Sequence, residues 1–157
     1  MCYNKWLIKG EAMTTLDEIH NLWNTDKIID NILLDDEALN ISKLHGKYLR
    51  ILSNERMLHT KYTIEFNRLN FDKYVFYTDG PTEETIAKGW VFAPKGKILK
   101  TEVQRYLDGD IDLITIIQKI AIQKEKIDVL TSIMNSLDKR TFQIQNALSF
   151  KKWESGN

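Results

Sequence analysis

The sequence predicts a mainly α protein: two long helices forming an antiparallel, coiled-coil-like hairpin, with a small irregular or hairpin insertion between them, built into an oligomer. Three observations carry this. The 157 residues include only two prolines and seven glycines, so little interrupts long elements. Residues 39–77 carry an apolar stripe at helical spacing. Residues 110–153 carry a heptad repeat, which on a helix of about 3.6 residues per turn demands partner helices in a left-handed supercoil. At 43% hydrophobic and 28% charged, the chain has the composition of a folded protein with a modest core.

Residues 1–12, "MCYNKWLIKGEA", are too short and too charged for a signal peptide. They read as a mis-called or dispensable start, with Met13 opening a more ordinary beginning; the single domain is then 13–157. "LDEIHNLW" predicts a short acidic helix and "DKIIDNILLDDEAL" a second piece. In the first long helix, Leu44, Tyr48, Ile51, Leu58, Tyr62, Phe66, Leu69 and Phe76 fall within about 40° of one line. Glu55 and Lys73 fall within that stripe. Glu55 there calls for a polar partner such as Gln123; Lys73 calls for the helix to end before it, or for a side chain that snorkels from a core edge. Asp79-Gly80-Pro81 stops the helix, because Gly permits positive φ and Pro cannot continue. Trp90-Val91-Phe92 and Ile98-Leu99 look extended around a turn at Pro94-Lys95-Gly96, a small hairpin. Thr101 is placed to cap a short helix, "EVQRYL", ended by Asp108-Gly109.

In the second long helix Leu113, Ile120, Ile127, Met134, Thr141 and Leu148 recur every seven residues; Ile116, Gln123, Leu130, Leu137 and Ile144 follow three behind. Some 40 residues span roughly 60 Å, and one antiparallel partner covers only part of that surface. The end, "TFQIQNALSFKKW", is therefore expected between subunits, with Met134, Leu137, Thr141, Ile144, Leu148 and Trp153 as the oligomerisation residues.

The formal charge balances at zero, 22 basic against 22 acidic residues, but unevenly. Asp17 to Glu37 holds seven acids against Lys27 alone, while Asn40 to Thr78 holds seven bases against three acids. A basic middle behind an acidic head suggests a polyanion partner. The acidic segment reads first as a solvated lead-in, and second as a partner contact or a shield for the basic track.

Little points to catalysis. His20, His45 and His59 are scattered; the last two lie about 21 Å apart on one helix, too far to share an ion. "APKGK" lacks the spacing of a phosphate-cradling loop, and neither GxSxG nor HExxH occurs. One cysteine, Cys2, excludes an internal disulfide or a CxxC zinc site and fits a reducing compartment. No catalytic residue, metal, cofactor or membrane span is expected.

Binding is better supported. Lys43, Lys47, Arg50, Lys61 and Arg68 form one flank of the first long helix, a line of about 37 Å beside the apolar stripe. It ends in "RLNFDKYVFYTDG". Phe76 is in phase with the core, whereas Phe71 and Tyr74 point away from it and could stack on bases. Basic residues for phosphates and rings for bases make a track for single-stranded nucleic acid. A coiled-coil scaffold whose charges serve only solubility is the alternative.

The order of "KYVFYTDG", then "YLDGDIDLITI", then "SLDKRTFQIQNALSFKKWESG" resembles the UvsY recombination mediators of T-even-like phages. The resemblance covers roughly residues 30–157, is best from Tyr106 onward and is loose between 79 and 100. It implies a non-catalytic protein of the infected bacterial cytoplasm that acts in recombination, repair and recombination-dependent replication. Such a mediator binds single-stranded DNA as a ring of about six or seven copies, weakens the grip of the phage single-strand-binding protein and helps a RecA-like recombinase assemble. The resemblance also implies that the C-terminal helix is needed for assembly. The family's Lys-x-Arg pair before Tyr-Tyr falls here on Phe71 and Lys73, with Tyr74 and Tyr77 following; only the second of the pair is basic. Phe71 then replaces a phosphate contact with stacking, or that contact has moved to Arg68. The wheel and the resemblance together give the expected DNA contacts as Lys43, Lys47, Arg50, Lys61, Arg68, Phe71, Lys73, Tyr74 and Tyr77.

Overall fold

The computed structural model describes residues 14–30, 32–92 and 98–156. Among these residues five helices follow in order: α1 (Leu16–Asp26), α2 (Leu34–Asp79), α3 (Glu83–Ala87), α4 (Val103–Asp108) and α5 (Ile111–Glu154). Among the described residues there is no strand: Trp90 to Phe92 and Ile98-Leu99 are irregular, and the expected turn at Pro94–Gly96 lies outside the described residues, as do residues 1–12. The chain forms two compact units, the first from residues up to Leu49 together with Leu130 onward, the second from Arg50–Val129. Both long helices contribute to each unit, and within each they run antiparallel.

In the first unit, α1 starts at a capping box: the Glu18 N–H donates to Thr15 Oγ1 (3.2 Å) and the Thr15 N–H to Glu18 Oε2 (2.6 Å). Nothing in "DKIIDNILL" is a Gly or Pro, so the break after α1 needs another cause. Tertiary and local hydrogen bonds supply it. Arg140 of α5 donates to the carbonyls of Asp26 (2.7 Å) and Ile28 (2.9 Å) and to Glu37 Oε2 (2.6 Å). Asp30 accepts from the Ile32 N–H (2.7 Å), a turn that competes with helix. The helix resumes at Leu34, five residues before the start expected from the pattern, with Asp35, Asp36 and Glu37 at its positive end.

The Asp26 carboxylate is the second anchor. It accepts from Lys47 Nζ (2.6 Å) and from the hydroxyl of fully buried Tyr48 (2.8 Å), whose ring meets Trp23 edge-on at 5.7 Å. Ile19, Leu34, Leu44, Leu130, Ile133, Leu137 and Ile144 are the other buried apolar side chains here. Leu137 and Ile144, expected at a subunit junction, are thus core residues of their own protomer.

In the second unit, Glu55 finds the partner its position demanded. Gln123 Nε2 donates to its carboxylate and to its backbone carbonyl (3.1 Å), and Lys126 Nζ lies 3.5 Å from the same carboxylate. Toward the end of α2, Phe76 is ringed edge-on by Tyr77 (5.2 Å), Trp90 (5.3 Å) and Phe92 (5.5 Å). Val103, Leu107 and Leu113 complete this cluster. Gly80, at φ +92°, ends α2 where its N–H reaches the Phe76 carbonyl (3.1 Å). Thr101 does not cap α4; that helix begins after Glu102, which makes no side-chain cap bond.

Asp110 ties this unit together. Its Oδ1 caps α5, accepting the N–H groups of Asp112 (3.0 Å) and Leu113 (3.3 Å). Its Oδ2 accepts from Tyr77 (2.9 Å) and pairs with Lys73 Nζ (2.9 Å), which also pairs with Asp112 Oδ2 (2.6 Å). Lys73 neither ends the helix nor snorkels; it is only 4% exposed, with its charge matched inside the fold.

Two outcomes are expected. Gly46 is exposed in the middle of α2 and a Cβ there meets nothing within 4 Å. Gly46→Ala should therefore stabilise by about 0.5–1 kcal/mol, read as a raised urea midpoint. The second concerns acid. Burial raises the Asp26 and Asp110 carboxyls. Hydrogen bonds and charge from Lys47 and Tyr48, and from Lys73 and Tyr77, more than offset it, so both end below 3.8. Unfolded, each takes up its proton near 3.8. Their stabilisation is complete above about pH 5 and lost as pH falls through the lowered folded values. Asp110→Asn should cost about 2–3 kcal/mol at pH 6 and flatten the urea midpoint's dependence between pH 5 and 2. A wild-type slope in that variant would contradict this role.

Candidate nucleic-acid interface

The exposed face of α2 in the second unit is a row at alternating three- and four-residue steps: Arg50, Asn54, Met57, Lys61, Ile64, Arg68, Phe71 and Val75. That spacing keeps the residues on one side of a helix. The row is chemically mixed. Met57, Ile64 and Phe71 are 58%, 63% and 66% exposed, set between Lys61 and Arg68, which are exposed as well. Tyr74 flanks its end at 40% exposure. Neither Met57 nor Ile64 is among the contacts expected from the sequence. The signal was present, since an apolar residue in phase with Lys61 and Arg68 rather than with the core stripe is out of place on a solvated face.

In the first unit, Lys43 and Lys47 are also exposed on α2. Lys47 is held by Asp26 and lies 5.4 Å from the centre of the Tyr48 ring. Its charge is thus already partly balanced.

Two expected contacts lie elsewhere. The Lys73 ammonium is enclosed by Asp110, Asp112 and the Trp90 ring, 4.1 Å from its centre. Tyr77 is buried, and burial, then the hydrogen bond to Asp110 and its charge, push its hydroxyl up to about 12. Neither side chain is open to a polyanion in this arrangement; both hold the end of α2 against the start of α5. The reason is packing. From Lys73 on, α2 sits beside α4 and the Trp90 loop, so the face the wheel assigned to the core edge is fully covered.

Arg68 approaches Glu84 of α3, whose exposed carboxyl is held low first by the hydrogen bond and charge of Lys88 and also by Arg68. Among the described residues no group of His, Cys, Asp and Glu is arranged to hold a metal ion, and no helix is long and apolar enough to cross a membrane.

The residues expected to mediate assembly separate into two sets. Leu137 and Ile144 are core and Met134 is half-buried, whereas Thr141, Leu148 and Trp153 are exposed. Phe142 (69% exposed) and Phe150 (58%) join Trp153 (76%) on one face of the end of α5, with the Phe150 and Trp153 rings 5.9 Å apart. Large apolar side chains gathered this way are the mark of an interaction surface.

Comparison with known proteins bears on this geometry. Residues 22–157 match the family model described as "Recombination, repair and ssDNA binding protein UvsY". No curated protein sequence matches. The fold is similar to crystal structures of the bacteriophage T4 recombination mediator protein UvsY. The lattice type IV structure is 15% identical with a TM-score of 0.73, covering 92% of this chain and 99% of that one. Lattice type II gives 18%, 0.74, 89% and 97%, and lattice type I gives 16%, 0.74, 87% and 98%.

Proposed function

This chain belongs to the UvsY family of recombination, repair and single-stranded-DNA-binding proteins, and from that premise we propose that it is a phage recombination mediator. It holds single-stranded DNA, weakens the hold of the phage single-strand-binding protein on it and favours assembly of a RecA-like recombinase, in the cytoplasm of the infected host. The observation that carries the reading is the mixed row on α2. Cations alone make a solvated helix face. Cations alternating with exposed Met57, Ile64 and Phe71 suit a strand whose phosphates and bases both need partners.

The contacts proposed in the second unit are Lys61, Arg68, Phe71 and Tyr74, with Arg50; Lys43 and Lys47 are proposed contacts of the first unit. Lys73 and Tyr77 act behind them as supports. Each copy offers few contacts, so useful affinity comes from several copies on one strand, where linkage converts later contacts into intramolecular ones. The exposed Phe142, Phe150 and Trp153 face supplies the surface for that assembly, as a ring of about six or seven copies in keeping with the family resemblance.

Salt separates this from a scaffold without DNA binding. Each phosphate contact with a single strand contributes about −0.7 to the slope of log affinity against log salt. Lys61→Ala with Arg68→Ala should weaken binding of a fluorescent oligonucleotide and make that slope shallower by about 1.4, with native mass unchanged. Unaltered affinity in the double variant would remove the site. Assembly is tested separately: Phe142→Ser with Trp153→Ser, both exposed, should reduce the sedimenting mass while helical content persists, and an unchanged mass would exclude that face as the junction.

A further inference from the structure

The second unit contains an open cleft of about 450 Å³ between α2, the loop after α3 and the first turns of α5. Its floor is apolar, formed by Leu69 and Ile116, and the half-buried Trp90 forms a wall. Lys88 and Lys119 line it as cations, and Glu65 and Asp112 as carboxylates. We infer that this cleft is a subsite for one unstacked base of the bound strand; the inference rests on the single-stranded-DNA reading above and assigns it a second, separate contact.

The chemistry selects that occupant. A small anion is disfavoured by two carboxylates beside the two ammoniums. A purely apolar guest would make use of none of the four charged side chains that line it. A base is flat, apolar on its faces and bears at least one N–H donor at its edge, and within a strand it has phosphates on either side. Its face suits Trp90, Leu69 and Ile116; its N–H groups suit the oxygens of Glu65 and Asp112; and its flanking phosphates suit Lys88 and Lys119. The wall is held in place for this. Trp90 packs edge-on against Phe76 at 5.3 Å, and Lys73 Nζ sits 4.1 Å from its ring centre. Lys119 is steadied over the Tyr62 ring at 5.9 Å.

Position supports the same occupant. Glu65 comes from α2 between Lys61 and Arg68, so a strand following those two cations passes the mouth of the cleft. Lys88, by contrast, is held at 2.7 Å by Glu84, an exposed pair that a phosphate can displace.

The test uses the unaltered full chain, because Trp90 is also a packing residue. A single-stranded oligonucleotide carrying 5-iododeoxyuridine is bound, irradiated and digested, and the cross-linked peptides are mapped, with binding followed in parallel by anisotropy. An adduct on Trp90 is the expected result. Binding with adducts only on the α2 row, such as Phe71 or Tyr74, or with none at Trp90, overturns the subsite while the wider reading stands. Absence of any binding at low salt overturns both.

Discussion

One buried carboxylate organises the second unit. Asp110 begins α5 by accepting its first free N–H groups, and with its other oxygen it receives Lys73 and Tyr77 from the last turns of α2. A buried ion pair is not cheap, since desolvation opposes it, and its value here is geometric rather than a large net gain in stability. It fixes the register of two long helices at the point where the chain between them must return. Phe76, Trp90 and Phe92 then pack around that fixed point, and the Trp90 wall of the cleft is positioned as a consequence.

Each unit repeats this logic with different residues. In the first, Asp26 is held by Lys47 and Tyr48 from α2, while Arg140 of α5 spans the backbone of the α1–α2 connection and Glu37. In the second, Glu55 is held by Gln123 and Lys126 in addition to the Asp110 cluster. A heptad seam of Leu and Ile is tolerant of sliding by one repeat; a charged group placed once in such a seam is not, because a slipped register would leave it buried and alone. Polar residues in these seams therefore specify pairing, and the cations left outside are the ones available for a partner.

That division explains how much was legible. The stripe of α2 and the seam of α5 declared two long antiparallel helices, because burial imposes a period that sequence displays directly. Glu55 could even be matched to Gln123, since both broke an apolar line at facing positions. Other outcomes needed contacts between segments distant in sequence. The break at residues 27–33 has no Gly or Pro to announce it; it exists because Arg140, more than a hundred residues later, captures the carbonyls of Asp26 and Ile28. Lys73 reads as a DNA contact only through the family resemblance; the wheel sets it in the apolar stripe, and neither shows the carboxylates that enclose it.

The sequence by itself determined the helical class, the antiparallel pairing, the imbalance of charge and the resemblance that points to single-stranded DNA, since all of these are written in local period, composition and order. Only the tertiary structure decided which cations are spent. Lys73 is neutralised by carboxylates from α5, while Lys61 and Arg68 remain on an open face among exposed apolar neighbours. The physical reason is that a charge's availability depends on what the fold places within a few ångströms of it, and that neighbour comes from another part of the chain.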